Sequence, residues 1–142
     1  MSDTDGNARY KHRHLVWLAV AAGVLLTVIG IRFAIVPRSA ANTFGLARDI
    51  VGYELHYIVA LRDIWLGLLA VALALLREWR ALALWFLLGA LVCFADAVIV
   101  GQSSGKLAQI AFHVGSGIFC AWMGIVLWRR FGRHQASSLT SK

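Results

Sequence analysis

The sequence predicts an all-α integral membrane protein, a four-helix antiparallel bundle with both termini on the cytoplasmic side. Of its 142 residues, 60% are hydrophobic and only 15% are charged, whereas soluble domains average about 45–50% and about 25%. The apolar excess is concentrated in four runs, each long enough to cross roughly 30 Å of hydrocarbon at about 1.5 Å per residue. Basic residues collect beside these runs on one side, which sets the orientation.

The four runs define one domain with two polar ends. We expect a disordered basic head over residues 1–14, the helical domain over 15–130 and a disordered tail over 131–142. The membrane spans are predicted at about 15–36, 55–76, 81–100 and 107–128. The longest loop, 37–55, is expected to carry a short interfacial helix. A cleaved signal peptide is the alternative for the first run, but that run exceeds the 7–15 residues typical of a signal sequence.

The basic residues indicate which side each loop faces. Eight of them flank the runs in the head, in the 77–80 turn and in the tail: Arg9, Lys11, Arg13, Arg77, Arg80, Arg129, Arg130 and Arg133. The opposite loops carry only Arg38, Arg48 and Lys106. The positive-inside rule therefore favours cytoplasmic termini and a multi-pass protein of the bacterial inner membrane. It also accounts for the net charge of +7, so no nucleic-acid partner is expected.

Five ionisable residues interrupt the apolar spans: Arg32, Arg62, Asp63, Asp96 and His113. Each such group costs about 2.5–3.5 kcal/mol at the centre of a membrane, so it usually has a functional reason. Counted from the span ends, all five lie roughly 7–11 Å below the non-cytoplasmic boundary. The antiparallel topology thus brings polar groups from all four helices to one level.

Stripes of small and polar residues indicate which way these groups point. The stripes are His56, Ala60, Asp63 and Gly67 on span two, Gly89, Cys93 and Asp96 on span three, and His113, Ser116, Gly117, Cys120 and Gly124 on span four. Membrane helices pack through such faces, so Asp63, Asp96 and His113 are expected to point into the bundle. Arg62 lies at the edge of its stripe. Arg32 is off the stripe of span one, from where it can reach the headgroups.

Two interpretations of this group remain open. In one, Arg62 forms a buried ion pair with Asp63 or Asp96 that fixes the helix register. In the other, Asp63, Asp96, Arg62 and His113 are catalytic, and the ligand-binding residues are Arg32, His56, Tyr57 and Ser116. The histidines and aspartates match no metal-binding spacing, and neither a metal nor a cofactor is expected. Cys93 and Cys120 are interpreted as packing residues at different depths, too far apart for a disulfide.

The same residues resemble a known family. The segments Gly30-Ile-Arg32-Phe33 and Arg62-Asp63-Ile-Trp-Leu-Gly67, followed by Asp96 and His113, are similar to those of small four-helix membrane proteins found in bacteria and fungi. That family is a domain of unknown function, and its layout is similar to that of DoxX-like proteins. The resemblance implies the four-helix fold and singles out Arg32 with the four cluster residues. It implies no reaction.

The functional expectation is acid/base chemistry on a small lipophilic molecule inside the membrane. One carboxylate can accept a proton while a second, protonated one donates, which suffices for epoxide hydrolysis or isomerisation without a cofactor. Two alternatives remain: a non-enzymatic accessory or assembly subunit of a membrane complex, and a proton-coupled transporter acting as a dimer. The expected partners are the lipid bilayer, the lipophilic ligand, and a second copy or another membrane subunit.

Overall fold

The computed structural model describes the backbone of residues 4–46, 54–103 and 106–131, and side chains from residue 13 to residue 130 within those ranges. This part contains five α-helices and no strand: α1 (Thr4–Ile35), α2 (Pro37–Phe44), α3 (Glu54–Leu76), α4 (Trp79–Ser103) and α5 (Leu107–Phe131). Four of them, α1, α3, α4 and α5, are long and apolar enough to cross a membrane. The prediction of an all-α chain with four long apolar helices is therefore confirmed.

Several helix ends differ from the predicted spans. Helix α4 continues to Ser103, three residues past the predicted end, and α1 begins at Thr4, inside the head that is predicted to be disordered. Extending an existing helix adds one hydrogen bond for each residue fixed, so polar residues join a helix once it has formed. The tail beyond residue 131 lies outside the described residues.

Helix α2 is the short helix expected between the first two spans. Pro37 stands in its first turn, where the fixed φ of proline is already helical and its missing N–H is not needed. Gly45 ends the helix with φ 107°, and its N–H donates to Ala41 O at 3.0 Å. Glycine is favoured at this left-handed position. A Cβ there would also lie 2.6 Å from Val100 and 3.0 Å from Gln109, so the end of α2 is seated against α4 and α5.

Helices α1 and α3 pack together through glycines. A Cβ added to Gly23 would lie 2.7 Å from Gly67 O, and one added to Gly30 would lie 2.7 Å from Ala60 O. From Gly23 to Gly30 the contact moves forward along α1, while its partner moves back along α3 from Gly67 to Ala60. The two helices therefore run in opposite directions. Small residues let membrane helices approach this closely. The small stripes of these two spans are therefore filled by the neighbouring backbone, and they leave no room for a ligand along the contact.

Helices α4 and α5 form a second pair in which large side chains fill glycine notches. The ring of Phe94 lies against Gly117, where a Cβ would come within 2.9 Å of it. Leu87 fills the notch at Gly124, at 2.7 Å from an added Cβ. These contacts again run in opposite directions along the two helices. Helix α1 is thus joined at close range to α3, and α4 to α5.

The two pairs meet through side chains rather than backbone, since close backbone approach is concentrated within each pair. A buried apolar layer lies between them towards the basic end of the bundle: Leu15, Ala19, Ala74, Leu82, Ala83, Phe86, Met123 and Leu127. A smaller cluster, Phe33, Ala40, Ala41 and Ala60, packs under α2 at the other end. On α3, Arg62 and Asp63 lie between the two clusters, after Ala60 and before Ala74.

Candidate functional site

The first element of the site is an ion pair on α3. Arg62 Nε donates to Asp63 Oδ1 at 2.9 Å, with the Arg62 side chain 40% exposed and that of Asp63 only 6% exposed. Asp63 is buried because it lies on the face of α3 between Ala60 and Gly67, which packs closely against α1. Arg62, about 100° further round the helix, reaches back to it. The carboxylate is thus fixed, whereas the guanidinium remains partly open.

The second helix pair contributes Asp96 and His113. Asp96, on α4, interacts electrostatically with Arg62, His113 and Asp63. Asp96 therefore lies within electrostatic range of the other three ionisable groups. Among the residues that the structure describes, Asp96 makes no direct hydrogen bond to any of the other three. Its carboxylate thus keeps acceptor capacity while facing a cation and an imidazole.

His113 is oriented by α2. Its Nε2–H donates to the backbone carbonyl of Phe44 at 3.2 Å, and its ring packs on the Phe44 ring with centroids 4.4 Å apart. His113 is only 6% exposed. A backbone carbonyl that accepts from one ring nitrogen fixes the tautomer. The neutral ring then carries its lone pair on Nδ1, which can take up a proton.

Four aromatic rings form a row beneath α2. The Phe44 ring lies 5.9 Å from that of Phe33, and Phe33 lies 6.3 Å from His56. With His113 beyond Phe44, the row joins α3, α1, α2 and α5. Arg32 Nη2 donates to Thr43 Oγ1 at 2.9 Å, which also holds α2 against the end of α1. Helix α2 therefore covers this end of the bundle and makes direct contact with the site.

The remaining predicted ligand residues lie at different distances from this cluster. Ser116 is half-buried one turn after His113, and His56 is buried in the ring row. Tyr57 is 53% exposed, and Arg32 is exposed and engaged with α2. The structure thus brings Arg62, Asp63, Asp96 and His113 together and leaves Arg32 and Tyr57 outside the group.

Phe44, the residue that orients His113, is not among the predicted site residues. Its position in the expected interfacial helix is the available signal, but the sequence does not indicate which way that helix folds. The predicted depths of the cysteines are wrong. Cys93 and Cys120 are both free, and they lie at nearly the same level because Phe94, next to Cys93, packs on Gly117, one turn before Cys120. Because α4 extends to Ser103, Cys93 lies deeper than its predicted span end implies, level with Cys120.

Neither curated proteins nor solved structures gave a match to this chain. A family described as "Domain of unknown function (DUF4267)" matches residues 23–127. The match covers the end of α1, the whole of α2, α3 and α4, and nearly all of α5, and so includes every residue of the site. The similarity of its layout to DoxX-like proteins stays a prediction. The chain therefore belongs to the DUF4267 family, a domain of unknown function.

Proposed function

We propose that the polar cluster is a proton-transfer site for a small lipophilic molecule, within a four-helix antiparallel bundle of the bacterial inner membrane. The reaction class that fits these groups best is epoxide hydrolysis or isomerisation by a proton shift. Neither reaction needs a cofactor. The substrate reaches the site from the non-cytoplasmic side or the outer leaflet, near α2.

Asp96 carries this proposal. A charged group placed in a membrane helix only to fix register is expected to be hydrogen-bonded to its partner, because leaving it without one costs free energy. Asp63 meets that expectation through Arg62. Asp96 does not: it faces Arg62 and His113 electrostatically without a direct hydrogen bond among the described residues. A carboxylate with this surplus of acceptor capacity suits a ligand or a transferable proton.

In the proposed reaction, Asp96 and His113 transfer protons, and Arg62 of the ion pair stabilises charge. In hydrolysis, Asp96 removes a proton from water as the water oxygen bonds to an epoxide carbon. The epoxide C–O bond breaks, and its oxygen receives a proton from His113, which carries that proton on Nδ1. In isomerisation, the same base removes a proton from one carbon and the acid returns a proton to another. Arg62 stabilises the negative charge that develops on oxygen.

A non-enzymatic accessory subunit is the second candidate, and one contact favours it. His113 packs closely on the Phe44 ring and donates a hydrogen bond to the Phe44 carbonyl, and these contacts hold α2 against α5. In that case the cluster holds the fold, and the lipid-facing surface meets a partner subunit. For a proton-coupled transporter acting as a dimer, the described residues offer no specific contact in support.

Isotope labelling tests the proposed reaction. The purified protein is incubated with lipophilic epoxides in H2(18)O and, in parallel, with unsaturated isoprenoid or steroid substrates in D2O. Hydrolysis gives a diol with one added (18)O, and isomerisation gives a product with deuterium on carbon. Removing a general base typically costs about 10²–10⁴-fold in rate, so Asp96→Asn is expected to lose at least about 100-fold.

The matched control is Glu78→Gln, which makes the same charge change in the exposed turn between α3 and α4. It is expected to retain full turnover. If neither label enters any product, and Asp96→Asn unfolds at a clearly lower temperature than Glu78→Gln, the accessory-subunit interpretation replaces this one.

The orientation is tested separately with reporter fusions. Fusions after Trp79 and after Arg133 are expected to report cytoplasm, and fusions within the 37–55 loop or at Ser103 are expected to report the periplasmic side. A cytoplasmic signal at Ser103 would reverse the positive-inside interpretation of this chain and would place the polar cluster near the other face of the membrane.

A further inference from the structure

A groove lies between α4 and α5 at the end of the bundle opposite to α2. Its volume is about 380 Å³, and it is lined by Leu84, Leu87, Ile125, Trp128 and Arg129. Leu84 and Leu87 form the α4 wall and the other three form the α5 wall. The volume falls within the range of about 300–1,000 Å³ typical of ligand sites. The groove is separate from the polar cluster, and none of its lining residues belongs to that site.

The chemistry of the groove changes along its length. Leucine and isoleucine line the part towards the middle of the spans, and Arg129 stands at the mouth in the last turn of α5. Next to the mouth, the guanidinium of Arg80 lies 5.7 Å from the centre of the Trp128 ring. This cation–π contact places a second positive charge beside the opening. Arg130 follows Arg129 in the last turn of α5.

An acyl chain fits the apolar part of this groove, and a phosphate fits its mouth. Both features belong to one molecule, a phospholipid, and two or more arginines at the headgroup favour an anionic one. The surrounding exposed surface carries large apolar side chains and contacts lipid in any case. This groove ends at Arg129, and the guanidinium of Arg80 lies on the ring of the neighbouring Trp128. Arginine also suits a phosphate better than lysine does, because its planar fork can donate two parallel hydrogen bonds.

We propose that this groove is a binding site for one anionic phospholipid, with an acyl chain between α4 and α5 and its phosphate at Arg129 and Arg80. The lipid seals the seam of the α4–α5 pair at the basic end, where Trp128 marks the membrane interface. The site does not depend on the proposed reaction.

Native mass spectrometry of the full-length protein in detergent measures this directly. Phosphatidylglycerol is titrated against phosphatidylcholine with the same acyl chains, and the bound species are counted. The wild type is expected to retain one phosphatidylglycerol in clear preference to phosphatidylcholine. Arg129→Gln is expected to weaken that preference about fivefold, which is the contribution of one cation near an anionic surface. Ile125→Trp is expected to abolish it by filling the groove.

The control is Arg13→Gln, which removes one positive charge from an exposed position at the start of the first span. It is expected to leave the preference unchanged. An equal loss in Arg13→Gln and Arg129→Gln would mean that only the overall charge attracts the lipid, and would overturn the proposal. Equal retention of the two lipids by the wild type would overturn it as well. Should Ile125→Trp fail to fold, Leu84→Trp fills the groove from the opposite wall, and undiminished binding there would exclude the acyl-chain site.

Discussion

Adding one methyl group at Gly67 tests the close packing of α1 on α3. A Cβ at this position lies 2.5 Å from the carbonyl oxygen of Gly23 and also meets the Thr27 hydroxyl. Real Cβ atoms essentially never approach another atom so closely. The backbone oxygen cannot rotate away, so α1 and α3 must separate. Overpacking of this kind typically costs about 1–3 kcal/mol, and the separation also weakens the packing around Asp63, one turn away.

Gly89 provides the matched control for this substitution. It lies in the middle of α4, where an added Cβ meets nothing within 4 Å. Gly89→Ala is therefore expected to be neutral or to stabilise the protein by up to about 1 kcal/mol, since alanine is the better helix former. The two alanine variants are thus expected to differ by about 1–4 kcal/mol. The chemical change is identical, and only the surroundings differ.

Thermal unfolding in detergent, followed by tryptophan fluorescence, measures the difference. Gly67→Ala is expected to unfold at a lower temperature than the wild type, and Gly89→Ala at the same or a higher temperature. Gly30→Ala provides a repeat, because its Cβ would lie 2.7 Å from Ala60 O and 2.8 Å from Ile64 N. Equal unfolding temperatures for the Gly67 and Gly89 variants would refute the close α1–α3 contact and the burial of Asp63 that follows from it.

Two further predictions concern the interior of the bundle. Arg62→Leu leaves Asp63 buried without its partner, and breaking such a pair typically costs about 3–5 kcal/mol of stability. The double variant with Asp63→Asn is expected to recover much of this loss in the same unfolding assay. No recovery would mean that the two groups are not coupled. Cys93 and Cys120 lie at nearly the same level on α4 and α5, because Phe94 packs on Gly117, so a short bifunctional thiol reagent is expected to link them within one chain. Mass spectrometry of the linked peptides detects the product, and unlinked chains after complete labelling would contradict the register of α4 on α5.

The number of helices long and apolar enough to span a membrane follows from the amino-acid sequence alone. A run of about 20 apolar residues is stable across hydrocarbon only as a helix, because every backbone polar group must be satisfied within the chain. For this reason the second span, predicted over 55–76, agrees closely with Glu54–Leu76. The cost of intramembrane charge likewise identifies the candidate site residues from their positions in the apolar runs. The grouping of Asp96 with Arg62 and His113 follows from counting depth along each helix.

Which helix faces touch depends on the tertiary packing. A stripe of small residues has the same pattern whether it lines a cavity or receives a neighbouring backbone. Here Gly23 and Gly67 meet each other, and the room expected along that stripe is filled. The packing of the short helix α2 is likewise not predictable from sequence, because its amphipathic pattern predicts a helix but does not say which helices it packs against. The contact of Phe44 with His113 requires the chain to turn at Gly45 and the end of α2 to pack against α4 and α5. Contacts between residues this distant in sequence depend on how all the helices pack together, and no local pattern encodes them.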